Sequence, residues 1–168
     1  MNRIEKGSLL VLAIIVAFNI FFGLGSIPLL DPDEPVYAET AREMIQFNDY
    51  LSPRIYNEYW FDKPPMYYWL VAGAMHVFGD GEFAARFPAA LMAFLTVIML
   101  YCSITRLFNE RTGFWSALVL ATSVQFFYLG KAAVTDTTLL FFLTGSLLCY
   151  LHKQYWLMYA VSYTHLRA

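Results

Sequence analysis

The feature that most constrains this chain is a series of apolar runs long enough to cross a lipid bilayer. A helix needs about 20 mostly apolar residues to cross roughly 30 Å of hydrocarbon. Four runs meet or approach this length and a shorter one follows, at about 8–27, 87–104, 113–129 and 137–151, and from 155 onward. Because backbone groups in lipid must be hydrogen-bonded within their own segment, these runs predict helices. The predicted fold is all-α, that of a polytopic membrane protein.

Composition supports a membrane protein and excludes one class of partner. Of the 168 residues, 59% are hydrophobic and 14% are charged, whereas about a quarter of an ordinary soluble domain is charged. The net charge of -2 gives no broad basic field, so we expect no nucleic-acid partner. Cys102 and Cys149 lie inside apolar runs without the Cys/His spacing of a zinc site, so we interpret them as packing thiols.

The two ends of the chain need separate interpretation. The first run follows Arg3 and Lys6, and its length and lack of an Ala-x-Ala site favour a retained helix over a cleaved signal peptide. The run that starts at 155 stops well short of a span. We therefore expect a truncated fifth span, and we expect 164–168 to be a non-native tail.

Basic residues in the short connections predict the orientation. Arg106 and Arg111 lie between the second and third runs, and Lys153 follows the fourth. By the positive-inside rule, these ends and the amino terminus face the cytoplasm. The long loop 28–86 and the start of the fourth run then face the opposite surface. That surface collects the acidic residues Asp31, Asp33, Glu34, Asp62 and Asp136.

The outer loop 28–86 predicts two short helices. Pro35 suits a first helical turn, and 36–47 is amphipathic. Its apolar stripe is Val36, Tyr37, Ala41, Met44 and Phe47, and its polar face is Glu39, Arg42, Glu43 and Gln46. We expect this helix to lie on the membrane surface. A second helix is predicted over 66–78, ended by Gly79-Asp80-Gly81.

Each charged or aromatic residue of the loop also has an ordinary explanation when it is considered alone. Asp33 and Glu34 suit the start of a helix, as does Asp136 at the fourth run. Lys63 could reach lipid phosphates from the interface, with Asp62 as its ion partner. Arg54 and Arg86 could be solvated or bound to headgroups, and Tyr56, Tyr59, Trp60, Tyr67 and Trp69 could form an aromatic belt.

Together, however, these residues resemble a specific family. The strings are Asp31-Pro32-Asp33-Glu34, Tyr37-Ala38-Glu39, Ala41-Arg42-Glu43-Met44, Phe61-Asp62-Lys63-Pro64-Pro65 and Tyr67-Tyr68-Trp69, followed by Phe83-Ala84-Ala85-Arg86-Phe87-Pro88, Arg106-Leu107-Phe108 and Thr135-Asp136. In this order they resemble the glycosyltransferases of the GT-C fold that use polyprenyl-phosphate sugars, such as bacterial aminoarabinose transferases and protein O-mannosyltransferases. Such enzymes have more spans than this chain, so the resemblance implies an amino-terminal part, 1–163.

The resemblance implies roles for individual residues. Asp33 matches the catalytic base, and Asp136 matches a second catalytic acidic position. The implied substrate-binding residues are Glu34, Tyr37, Tyr59 and Lys63, with Lys63 on the donor phosphate. Asp62 is a candidate ligand of a divalent metal ion. The chain departs from the family at Val36, where Arg is frequent, and at Asp62, where Glu is common.

The implied activity is hexosyl or pentosyl transfer from a polyprenyl-phosphate donor to a lipid or protein acceptor. It would invert the anomeric centre, at the outer face of the cell inner membrane. A divalent metal ion is the only cofactor implied. The alternatives are a transporter or flippase subunit and a catalytically silent scaffold. Because the apolar runs carry almost no ionisable residues, a translocation path is the weaker interpretation.

Overall fold

The computed structural model describes residues 3–30, 32–61, 63 and 65–166, and its architecture is helical. The helices are α1 (Arg3–Phe21), α2 (Asp33–Phe47), α3 (Pro65–Phe78), α4 (Glu82–Leu107), α5 (Glu110–Thr122), α6 (Val124–Gly130), α7 (Asp136–Leu151) and α8 (Tyr155–Leu166). A small antiparallel hairpin pairs β1 (Arg54–Ile55) with β2 (Glu58–Tyr59). The predicted all-α fold is confirmed, and the hairpin is an addition to it.

Helix α4 is the centre of the fold because most other helices pack against it. On one side, α1, α5 and α6 enclose a core around Ala93, Val97 and Tyr101 of α4. Near its amino-terminal end, α2 and α3 enclose a second core, to which Ala133 from the connection before α7 also belongs. Small side chains on α4 let neighbouring helices approach closely, as is usual for helices in membranes.

Helix α4 is also the clearest candidate for a membrane span. Among the described residues, it is the one unbroken helix that is long and apolar enough to cross a bilayer. Helices α5 and α6 meet this test only together, and they are bent by 68°. The apolar helices Lys6–Phe21 and Asp136–Leu151 are shorter.

Two predicted segments differ from the observed helices. The run at 8–27 is helical only to Phe21, because Gly23 has a left-handed φ of 67° and starts a turn. The run at 113–129 is two helices, because Ser123 is extended, with φ of -69° and ψ of 132°. Helix α8 extends to Leu166, and the expectation that 164–168 is a non-native tail stays a prediction.

The long connection 48–64 is held on α2 by a buried carboxylate. Tyr56 and Asn57 both have positive φ, as a two-residue hairpin turn of type I′ requires. The backbone N–H of Asn57 donates to both carboxylate oxygens of Glu43 at 3.2 Å. Glu43 is 5% exposed, so its assignment to a solvated polar face was wrong.

The assignment of Phe47 to the apolar stripe of α2 was also wrong. Phe47 is 40% exposed, although it was assigned to the apolar face of α2. Tyr37, Ala41 and Met44 are buried as predicted. Helix α2 therefore packs against α3 and the hairpin on a broader and more polar face than its apolar stripe indicates.

Candidate functional site

The first turn of α2 and the first turn of α7 carry the two acidic residues predicted to be catalytic. Asp33 is the first residue of α2, and Asp136 is the first residue of α7. Both side chains are exposed. Neither carboxylate accepts a hydrogen bond from the described part of the chain. Side-chain capping bonds are not formed by the residues preceding these helices, Pro32 and Thr135.

One cavity brings these two side chains together. It has a volume of about 170 Å³ and is lined by Leu30, Asp33, Glu34, Tyr128, Leu129, Ala132, Val134 and Asp136. A neighbouring cavity of about 280 Å³ shares Leu30, Glu34, Tyr128 and Ala132 with it and is otherwise mostly apolar. The acidic pair therefore lies beside a largely apolar recess. We call the first of these the acid cavity.

Glu34 and Arg86 form the buried support of the acid cavity. Arg86 Nε and Nη2 donate to the two carboxylate oxygens of Glu34 at 2.9 and 2.7 Å. Arg86 is 2% exposed and Glu34 is 4% exposed. The remaining donors of Arg86 bind the backbone carbonyls of Leu24, Ile27 and Pro28 at 2.8 to 3.1 Å. A bidentate pair whose other donors are also satisfied is the favourable form of a buried ion pair.

Glu34 also holds two backbone segments. Its carboxylate accepts the N–H of Leu30 at 2.7 Å and the N–H of Ala133 at 2.6 Å. Burial alone would raise the pKa of Glu34, but the hydrogen bonds from Arg86, Leu30 and Ala133 outweigh it, and the pKa is lowered. Glu34 is therefore an ionised hub that joins α2, α4 and the connection before α7.

The predicted substrate-binding residues do not all lie at the acid cavity. Glu34 lines it, but its oxygens already accept four hydrogen bonds, so its observed role is to position its neighbours. Tyr37 is 7% exposed and packs edge-on to Tyr67, with ring centroids 5.2 Å apart. Contact of Glu34 or Tyr37 with a substrate stays a prediction.

Tyr59 and Lys63 lie elsewhere on the surface. Tyr59 is 63% exposed; its ring stacks on Phe61 at 6.0 Å and lies 4.7 Å from the Arg54 guanidinium carbon. Lys63 is exposed in the bend before α3. Neither is among the described residues that line the acid cavity. Their predicted contacts with the donor remain predictions.

The structure does not supply a metal site from the part of the chain that it describes. Asp62, the candidate ligand, lies outside the described residues. Among those that are described, no group of three or more His, Cys, Asp or Glu side chains is placed to hold a metal ion. The predicted metal-binding role of Asp62 stays a prediction.

Two residues that sequence reasoning treated as peripheral are central to the site. Considered alone, Arg86 is predicted to be a solvated or headgroup-bound charge, but it is the buried partner of Glu34. Considered alone, Tyr67 is predicted to be part of an aromatic belt, but it is 2% exposed. For Arg86 a signal was present, because small and apolar residues surround it in Ala84-Ala85-Arg86-Phe87-Pro88.

Burial and the acidic groups around Tyr67 affect its ionisation. Burial raises the pKa of Tyr67 well above its ordinary value, and Tyr37, Glu34 and Asp136 raise it further. Tyr67 is therefore a neutral phenol close to the acid cavity.

Comparison with known proteins identifies the family. Residues 62–163 match the model of the family described as dolichyl-phosphate-mannose-protein mannosyltransferase. The chain belongs to this family. The matched region contains Arg86 and Asp136, whereas Asp33 and Glu34 lie just before it.

Relatives along more of the chain are bacterial transferases. The undecaprenyl phosphate-alpha-4-amino-4-deoxy-L-arabinose arabinosyl transferase of Yersinia enterocolitica is 33% identical over 88% of this chain and 27% of its own length. A transferase of the same description from Proteus mirabilis is 29% identical over 88% of this chain and 27% of its own length. The chain thus spans about a quarter of the length of these relatives.

Solved structures show the same fold. The crystal structure of ArnT from Cupriavidus metallidurans in the apo state matches with a TM-score of 0.79 and 26% identity, over 85% of this chain and 27% of that one. A second structure of that ArnT, bound to undecaprenyl phosphate, matches with the same TM-score over 26% of its length. The predicted GT-C membrane fold is confirmed by this likeness.

Proposed function

We propose that this chain is the amino-terminal part of a glycosyltransferase that moves a sugar from a polyprenyl-phosphate donor to a lipid or protein acceptor. The observation that carries the proposal is the acid cavity, in which Asp33 and Asp136 meet although they start different helices. Family membership and the ArnT structure bound to undecaprenyl phosphate support a lipid-phosphate donor. The first donor to assay is undecaprenyl phosphate linked to 4-amino-4-deoxy-L-arabinose, which the relatives' names specify.

Asp33 is the proposed general base. Its carboxylate accepts no hydrogen bond from the described residues, so it can accept the proton of an acceptor hydroxyl. The acceptor oxygen then bonds to the anomeric carbon as the carbon–oxygen bond to the carrier phosphate breaks. The phosphate leaves with the electron pair, and a single displacement inverts the anomeric centre. Asp136, at the same cavity, orients the acceptor.

Lys63 is proposed to contact the donor phosphate. A lysine ammonium stabilises the negative charge that grows on the phosphate as it departs. Lys63 lies in the connection that leads directly into α3, which packs against α2. The start of α3 lies near the start of α2, because the rings of Tyr67 and Tyr37 are in contact.

The proposed location is the inner membrane, with several spans and the acid cavity at the extracytoplasmic surface. Leu24, after α1, contacts Arg86 near the start of α4, and Ser8 of α1 bonds to Glu110 after the end of α4. Helices α1 and α4 are therefore antiparallel, with Arg106 and Arg111 at the end opposite the acid cavity. The positive-inside rule assigns that basic end to the cytoplasm.

The test uses the complete coding sequence that carries this chain, expressed in membranes. Transfer of labelled sugar from its polyprenyl phosphate should require Asp33, and Asp33→Asn should insert normally without transferring. Glu39→Gln is the matched control, because Glu39 is on the same helix and outside the acid cavity. Parental transfer by Asp33→Asn would refute the assignment of the base. Absence of transfer by the parent with every polyprenyl-phosphate donor would instead favour a silent scaffold.

A further inference from the structure

The hydroxyl of Tyr67 is buried, although the packing of α3 needs only the aromatic ring. The residue is 2% exposed. Its phenolic oxygen has no hydrogen-bond partner among the described residues. A buried hydroxyl without a partner destabilises a fold, whereas phenylalanine would fill the same space without that cost. Such a group in a native structure calls for an explanation, and a functional role is one.

Packing places Tyr67 directly behind the acid cavity. Its ring meets the ring of Tyr37 edge-on at 5.2 Å. Both belong to the buried cluster that includes Ala133, and Val134 packs against this cluster. Val134 also lines the acid cavity together with Asp136. The buried cluster that contains Tyr67 therefore adjoins the wall of the acid cavity on which Asp136 lies.

The surrounding groups differ in their capacity to accept a hydrogen bond. The titratable groups that act on Tyr67 are Glu34 and Tyr37 from α2 and Asp136 from α7, and Arg86 from α4 is bonded to Glu34. The Glu34 carboxylate already accepts four hydrogen bonds, and Arg86 is only a donor. Asp136 is close enough to act electrostatically on Tyr67, and its carboxylate accepts no bond from the described residues.

We propose that Tyr67 is a positioning residue, whose hydroxyl donates a hydrogen bond to Asp136 when substrate binding turns that carboxylate toward the buried cluster. The bond gives both the Tyr67 hydroxyl and the Asp136 carboxylate a hydrogen-bond partner. It fixes the direction in which the second oxygen of Asp136 faces the acceptor. This inference rests on the proposed function and assigns a role that sequence pattern alone placed in an aromatic belt.

The decisive variant is Tyr67→Phe in the complete transferase, because it removes one oxygen and leaves the ring in place. Tyr68→Phe is the matched control, since Tyr68 is the next residue and is 0% exposed. The first measurement is the infrared carboxylate band of Asp136, obtained as a difference from Asp136→Asn, in protein loaded with undecaprenyl phosphate. We expect the band to shift in Tyr67→Phe and to stay in place in Tyr68→Phe. An unshifted band in Tyr67→Phe would overturn the proposal.

Kinetic and stability measurements on Tyr67→Phe provide a second test of the proposal. Loss of a hydrogen bond to a charged group should lower kcat roughly tenfold. The Km for the donor should stay near the parental value. Thermal unfolding should not become easier, because the lost hydroxyl had no partner in the resting fold. A lower kcat that simply follows a lower Tm would show a structural role only and reject the inference. If no form of the protein transfers sugar, the proposed function fails, and the infrared result still decides the role of Tyr67.

Discussion

Arg86 donates two hydrogen bonds to Glu34, at 2.9 and 2.7 Å, across 52 positions of the sequence. The contact joins α4 to α2, and both side chains are buried. Because Asp33 is the residue next to Glu34, the pair also fixes where the proposed base stands. Its loss should therefore affect folding before it affects chemistry.

Arg86→Met should destabilise the chain by about 3–5 kcal/mol, since it leaves the Glu34 carboxylate buried without its partner. The control is Arg42→Met, which removes an exposed pair with Glu39 at 3.3 Å and should cost about 0–1 kcal/mol. Denaturant unfolding of the purified chain in detergent would measure both. Equal losses for the two variants would show that the buried pair contributes no more than a surface one.

Acidification should weaken the fold through Glu34. Its pKa is lowered from the ordinary value of 4.5 in the folded chain. The stabilisation is therefore complete above about pH 4.5 and is lost as pH falls through the lower folded value. Asp49, whose pKa is lowered by hydrogen bonds from Ser52 and Leu51, contributes with the same sign. Between pH 7 and pH 3, the free energy of unfolding should fall less steeply in Glu34→Gln than in the parent. An identical slope in the two proteins would contradict this.

The two acidic residues of the cavity should differ from Glu34 because they have no structural partners among the described residues. Asp33→Asn should lower transfer by a factor of about 10² to 10⁴, the range expected for loss of a general base. Asp136→Asn should lower it less and mainly through kcat. Neither change should lower the Tm by more than a surface substitution such as Glu39→Gln. A large fall in Tm would show that these carboxylates support the fold.

Lys63→Ala should weaken use of the lipid donor. Removing the ammonium removes its attraction for the carrier phosphate, so the apparent Km for the donor should rise. Lys153→Ala is the control, because Lys153 is exposed after α7, at the opposite end of that helix from Asp136. Titrating the donor in the transfer assay measures both. Unaltered Km and rate in Lys63→Ala would reject the phosphate contact.

Two glycine substitutions should change stability in opposite directions. A Cβ on Gly113 would lie 3.0 Å from the backbone N of Thr105 and the backbone O of Tyr101, so Gly113→Ala should destabilise the α4–α5 contact by about 1–3 kcal/mol. A Cβ on Gly73 would meet nothing within 4 Å. Gly73→Ala in exposed helix should stabilise by about 0.5–1 kcal/mol. Thermal unfolding in one detergent compares them, and the same sign for both would contradict the packing at Gly113.

The sequence was sufficient for features that depend on local pattern. Helices α3 and α7 start within one residue of the predicted positions, because long apolar runs bounded by Pro, Gly or charged residues leave few alternatives. The break at Ser123 was not predicted, since both halves of the run are equally apolar. There, Thr122 Oγ1 bonds to the Leu118 carbonyl at 2.8 Å, a side-chain contact that competes with regular helix.

The site was predictable where the order and direction of the membrane-crossing segments alone bring residues to the same surface. Asp33 and Asp136 lie on one cavity, as expected when the start of α2 and the start of α7 face the same surface. The burial of Arg86, Glu43 and Tyr67 was not predictable, because each depends on a partner or neighbour distant in sequence. Isolated charges and phenols are ordinarily exposed, and only the packed structure shows these exceptions.

The four donors on the Glu34 carboxylate come from three separate stretches of chain, before α2, within α4 and before α7. During synthesis, the first stretch and Glu34 emerge together, whereas the N–H of Ala133 emerges last. A nascent chain that ends before residue 133 therefore carries an incompletely bonded carboxylate, and the acid cavity has no wall from α7. The acid cavity is thus complete only once the chain has been made as far as Asp136, the first residue of α7.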